Sequence, residues 1–99
     1  MSFDSITLFF NRALKSANLA ENDIGDEGAV ALSAALEKNN TLTELNLRAE
    51  QDGIKISATG VQAIAEMLAV NRALTSLDLT YNEIGAGGAR AIAASLPQS

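Results

Sequence analysis

The side chains best placed to do chemistry in this chain are Glu44, Asn46, Arg48, Ser76, Asp78, Thr80 and Tyr81. Apart from Tyr81, which lies just beyond, they alternate with leucines in ELNLR and SLDLT. In extended chain they therefore share one face. Ser16, Asn18 and Ala20 form a third such row. Arg and Tyr are frequent anchors of protein interfaces, and Glu44 and Asp78 add charge. The chemistry on offer is recognition by hydrogen bonds, charge and an aromatic ring. The same rows also suit a plain solvated sheet face, with Glu44 and Arg48 paired to neighbours. The sequence leaves these two readings open.

Other chemistries are poorly served. There is no Cys and no His, which removes Cys–His and Ser–His nucleophilic catalysis and the usual zinc ligands. Glu21, Asp23, Asp26 and Glu27 lack the alternate-residue spacing of a calcium loop. Asp26 and Glu27 instead suit the positive end of a helix dipole. Gly85, Gly87 and Gly88 cluster without the Lys that a phosphate loop requires. The expectation is no catalytic residue, no metal and no cofactor, and hence no enzyme. Asn39-Asn40-Thr41 matches the glycosylation triplet, but Asn39 aligns with Asn11 and Asn71 and reads as a turn residue.

The chain has 99 residues, with 12 acidic against 7 basic side chains and a net charge of −5. That is one small domain, and its charge disfavours nucleic acid and anionic membrane surfaces. No apolar run is long enough to span a bilayer. The absence of Cys fits a reducing compartment, and a soluble, cytoplasmic protein is expected.

The elements that must carry these residues recur. Leu14, Leu42 and Leu74 open three units, Leu19, Leu47 and Leu79 close their strands, and Ile24, Ile56 and Ile84 follow the turns. Leu14 to Leu42 is 28 residues and Leu42 to Leu74 is 32. Ile56 to Ile84 is again 28, so the four extra residues lie between Leu47 and Ile56, in RAEQDGIK. Gly28, Gly60 and Gly88 open helix faces that end at Leu36, Leu68 and Leu96. Each strand is followed by a helix, so the strands must lie parallel. The units are assigned to 14–41, 42–73 and 74–99 of a single domain, preceded by a partial, capping unit at 1–13.

The spacing L-x-x-L-x-L, an Asn three residues on at Asn22 and Asn82, and the helical pattern that follows resemble the leucine-rich repeat, in the long, helix-containing form of ribonuclease inhibitor. The resemblance implies an α/β leucine-rich-repeat solenoid. It would be a right-handed β-α superhelix, with a short parallel sheet on the concave face and helices on the convex face. It also implies that Asn22 and Asn82 are structural, satisfying turn backbone groups of their own and neighbouring units, a role unit two abandons at Glu50. Gly28, Gly60 and Gly88 are expected to let helix approach sheet. Arcs of this kind bind proteins along the concave sheet, so the expected function is a non-catalytic protein-binding module. Ran GTPase-activating proteins and NOD-like receptors use similar units, which makes a fragment or relative of a larger regulator the alternative. A self-assembling repeat unit is another.

Three features stay open on sequence alone. Phe3, Phe9 and Phe10 either cover the first unit or form an apolar contact site. The insertion, with Gly53 expected to take a left-handed turn, is either a functional rim loop or a neutral one. The flank of Leu77, Leu79, Ile84, Ile92 and Leu96 has no following unit before Pro97, which suggests a homodimer through that end.

Overall fold

The three L-x-x-L-x-L stretches form short strands: β1 (Ser16–Asn18), β2 (Glu44–Asn46) and β3 (Ser76–Asp78). Each is followed by a helix: α1 (Gly25–Leu36), α2 (Ala58–Val70) and α3 (Gly85–Ser95). The structure is a computed structural model and describes residues 14–95. The strands lie parallel in the order β1-β2-β3, with Ser16, Glu44 and Ser76 in one row and Asn18, Asn46 and Asp78 in another. This is the register of the repeat itself, which puts like residues side by side.

The backbone ladder runs past the strand ends. Leu47 N–H donates to Asp78 O at 2.8 Å, Ala49 N–H to Thr80 O at 3.0 Å, and Glu21 N–H to Arg48 O at 2.8 Å. Three-residue strands are too short to stand alone. What holds them is the layer between sheet and helices, where Leu32, Leu36, Leu42, Leu45, Leu47, Ile56, Val61, Ile64 and Met67 are at most 3 % exposed. Fully burying a side chain of this size contributes roughly 1.5–3 kcal/mol, so this aliphatic layer is the main source of stability.

The helices start differently from the sequence reading. α1 and α3 begin at Gly25 and Gly85, three residues before Gly28 and Gly88. Gly25 and Gly85 have φ of 65° and 69°, the left-handed region that glycine enters without steric cost. Burial is deepest in unit two. Leu45 and Leu47 are 3 % exposed, whereas their equivalents Leu77 and Leu79, with Leu74, Ile84 and Ile92, are only partly buried. The expected partial unit with Phe3, Phe9 and Phe10 lies outside the described residues, as do Leu96 and Pro97.

Candidate functional site

The strands bring the outward side chains together over one sheet face. Ser16, Asn18, Glu44, Asn46, Ser76 and Asp78 line a hollow of about 250 Å³. Glu44 and Ser76 are exposed, while Asn46 and Asp78 are half-buried. The last row is not free recognition surface. Asn18 Oδ1 accepts Ala20 N–H at 3.0 Å, and Asn46 Oδ1 accepts Arg48 N–H at 3.0 Å. Asp78 Oδ1 accepts the N–H and the hydroxyl of Thr80 at 2.9 and 2.5 Å. Three Asx residues thus tie down the strand ends, a use that their outward position concealed. The Thr80 hydroxyl, then its N–H, and after them the charge of Arg48 hold the Asp78 carboxyl below the usual carboxylate range. Asp78 is therefore ionised at neutral pH.

Beyond the strand ends lies a rim. The Arg48 guanidinium sits over the Tyr81 ring, 5.3 Å from its centroid, a distance suited to cation–π attraction. Tyr81 is 49 % exposed and has φ of 67°, an uncommon conformation for a bulky residue. Glu21, at the same place in unit one, has φ of 60°, so the conformation belongs to the turn of the repeat. Glu21, Arg48, Glu50, Gln51, Asp52 and Tyr81 bound a second hollow of about 430 Å³.

The insertion supplies part of that rim, and it is anchored. Gly53 N–H closes a turn on Glu50 O at 3.1 Å, and Ile54 N–H donates to Asp23 Oδ1 at 3.1 Å. The Lys55 ammonium donates to Gln51 O at 2.7 Å and also to Glu50 O. Gly53 does not adopt positive φ, contrary to expectation. It is needed for closeness instead, since a Cβ there would stand 2.9 Å from Asp23 Oδ1 and 3.1 Å from Glu50 Cβ.

The rigidity of the face comes from polar ties between units. Asn82 Oδ1 accepts Ile56 N–H at 2.7 Å, and its Nδ2 donates to Leu47 O at 2.8 Å and Leu79 O at 3.2 Å. One amide therefore binds unit two to unit three. Asn22 is different: it is exposed, and its Nδ2 donates to Ala20 O at 3.1 Å within its own turn. Between units one and two, aspartate does the work. Asp26 Oδ1 accepts the N–H groups of Ser57 and Gly60 at 2.7 and 2.9 Å, and Oδ2 accepts the Ser57 hydroxyl at 2.6 Å. Asp26 thus caps the helix of the next unit, rather than merely complementing the dipole of its own. The Ser57 hydroxyl, the Ser57 N–H and then the Gly60 N–H hold its carboxyl below the ordinary value of 3.8.

The glycines also act between helices. A Cβ on Gly60 would lie 2.5 Å from Ile56 Cγ2, 2.6 Å from Asp26 Oδ1 and 3.1 Å from Ala29 Cβ. A Cβ on Gly88 would lie 3.0 Å from both Ile84 Cγ2 and Val61 Cγ1. The crowding is with the preceding helix and the residue's own turn, not with the sheet. Gly28 is half-buried, and its N–H donates to Ile24 O at 3.2 Å.

Asn39 and Asn71 are the buried pair of the opposite turns. Asn39 is 2 % exposed, and its Oδ1 accepts Thr41 N–H and Leu42 N–H at 3.0 and 2.9 Å. Asn39 is therefore a buried turn residue. Asn71 Nδ2 donates to Leu36 O at 2.7 Å and Asn39 O at 2.9 Å. Among the described residues no group of His, Cys, Asp or Glu could hold a metal ion, and no helix is long and apolar enough to cross a membrane.

Comparison with known proteins agrees with this architecture. Residues 10–33 and 70–93 match the family described as Leucine Rich repeat. The match leaves out most of unit two, where the insertion lies. The chain is 38 % identical over 84 residues to NACHT, LRR and PYD domains-containing protein 5 of Homo sapiens, covering 85 % of this chain and 7 % of that protein. It is 34 % identical over 89 residues to the ribonuclease inhibitor of Mus musculus, covering 89 % of this chain and 19 % of that one. The chain thus spans a small part of the length of these relatives. Among solved structures, Leiomodin-1 Actin-Binding Site 2 superposes with a TM-score of 0.77 at 31 % identity, covering 92 % of this chain and 51 % of that one.

Proposed function

We propose that this chain, which is a leucine-rich repeat protein of the ribonuclease-inhibitor-like type, is a non-catalytic module that binds a protein partner through its sheet face and adjoining rim. The observation that carries this reading is the Arg48–Tyr81 pair. It places a half-exposed ring and a guanidinium beside the hollow over the sheet, on a backbone tied to the neighbouring units. A preorganised surface loses less freedom when it binds. Glu44, Asn46, Ser76, Asp78 and Thr80 supply the polar surround, with Asn46 and Asp78 acting partly by holding strand ends. The sequence likeness to ribonuclease inhibitor, and the structural likeness to a protein whose title names actin binding, both support a protein as the ligand.

The partner meets a surface whose carboxylates outnumber its cations, so nucleic acid and anionic membrane are poor candidates. The lack of cysteine suits the cytoplasm. A second reading, part of a larger regulator, is favoured by the small share of the NACHT-domain relative that the chain covers. Affinity capture with the wild-type chain and an Arg48→Ala/Tyr81→Ala double variant tests the proposal. A protein recovered by the wild type and lost at least tenfold by the variant supports it. Equal recovery by a variant of unchanged circular dichroism refutes it.

A further inference from the structure

The aspartates at 23, 26, 52 and 78 differ in what holds them. Asp23 accepts Ile54 N–H at 3.1 Å. Asp26 accepts from Ser57 and Gly60 at 2.6 to 2.9 Å, and Asp78 accepts the N–H and hydroxyl of Thr80. Asp52 is exposed in the turn of the insertion, and among the described residues its carboxylate has no hydrogen bond. Asp52 is also followed by glycine, whereas Ile24, Glu27 and Leu79 follow the others. No other Asp, and no Asn, precedes Gly in the chain. A carboxyl group free to turn, beside a backbone nitrogen with no side chain to screen it, lets that nitrogen reach the side-chain carbon.

The fold itself requires the glycine. A Cβ at position 53 would stand 2.9 Å from Asp23 Oδ1 and 3.1 Å from Glu50 Cβ. The Gly53 N–H is held only by Glu50 O, at 3.1 Å, and that oxygen also accepts from the Lys55 ammonium. An exposed turn of this kind opens locally at little cost. We propose that Asp52 is a site of spontaneous isomerisation, in which the chain passes through a succinimide to isoaspartate. Gly53 N bonds to Asp52 Cγ, and the carboxyl hydroxyl leaves with the amide proton as water. A second water then opens the ring. Opening at the former main-chain carbonyl leaves the peptide running through Cγ, with the old main-chain carbon as the free carboxylate. The turn gains one backbone carbon and the side chain loses one, while the charge is kept. The carboxylate is thereby displaced in the hollow that Asp52 shares with Glu21, Arg48 and Tyr81. The reaction needs no partner, so it proceeds whether or not the rim binds a protein.

Trypsin, cutting after Arg48 and Lys55, releases residues 49–55 as one peptide. The folded chain is held for weeks in mildly acidic buffer at physiological temperature, then digested and separated, with electron-transfer fragmentation to tell isoaspartate from aspartate. A second form of this peptide, equal in mass and carrying isoaspartate at position 52, should accumulate at least ten times faster than isoaspartate at Asp23, Asp26 or Asp78. Asp52→Glu, whose ring closure is far slower, should give no second form. Asp52→Asn should reach the same ring faster with loss of ammonia, and then yield both acid forms. The proposal is overturned by a folded chain whose peptide stays single while a synthetic peptide of residues 49–55 converts. Isoaspartate arising first at another aspartate, a second form that persists in Asp52→Glu, or an Asp52→Asn chain that keeps its amide would overturn it equally.

Discussion

The two joints of the stack are built from different chemistry. Units two and three are tied by a neutral amide, Asn82, which donates twice and accepts once. Units one and two are tied on the same side by carboxylates, with Asp26 gripping the start of α2 and Asp23 holding the insertion. The difference follows from the four extra residues. They move the second turn outward, and no Asn stands where Asn82 stands in unit three. This joint is tied instead by aspartates of unit one, which reach across to Ile54, Ser57 and Gly60. A carboxylate accepts from several N–H groups more strongly than an amide oxygen does, but only while it is ionised. One joint is therefore sensitive to acid, and the other is not.

Breaking the first joint by steric pressure should have the largest effect. Gly60→Ala puts a methyl group 2.5 Å from Ile56 and 2.6 Å from the Asp26 carboxylate. It should destabilise the fold by about 1–3 kcal/mol, with loss of the Asp26 cap in addition. The same change at Gly88, where contacts open to 3.0 Å, should cost less. Urea midpoints of the two variants make the comparison. Asn82→Ala should come next, at about 1–3 kcal/mol, because it strands Ile56 N–H and Leu47 O in a partly buried turn. An unchanged thermal midpoint would show those groups to be solvated.

Asp26→Ala should cost about 0.5–2 kcal/mol at neutral pH, the usual range for a lost helix cap. Asn22→Ala, at the position of Asn82 in unit one and with no cross-unit bond among the described residues, should stay within about 0.5 kcal/mol of wild type. An Asn22 variant as damaging as the Asn82 variant would mean that the position matters through the turn alone.

Much of the fold was legible because leucine spacing reports both period and strand direction. The 28- and 32-residue offsets locate the insertion. Asn82 was legible too, since its spacing after Leu79 repeats in unit one. The cross-unit reach of Asp26 was not, because nothing in GDEG marks a carboxylate whose partners stand 31 and 34 residues away. Gly53 was misread for a related reason. A glycine in a charged loop suggests positive φ, whereas here it clears space for Asp23, a neighbour only in three dimensions. In the candidate site, alternation placed Asn46 and Asp78 outward, but not the backbone bonds that occupy them.

The measurement that tests the contrast between the joints most directly is the stability difference between wild type and Asp26→Ala as a function of pH. The folded pKa of Asp26 lies below the ordinary value of 3.8. Its contribution is therefore fully present above that value and is lost as pH falls through the folded pKa. Denaturant unfolding at pH 7, 5, 4 and 3 should show a gap that is constant from pH 7 to 5, narrows below about pH 4 and closes in stronger acid. The gap between wild type and Asn82→Ala should not change over the same range. A gap for Asp26→Ala that is independent of pH, or an Asn82→Ala gap that closes with it, would contradict the assignment of a carboxylate tie to one joint and an amide tie to the other.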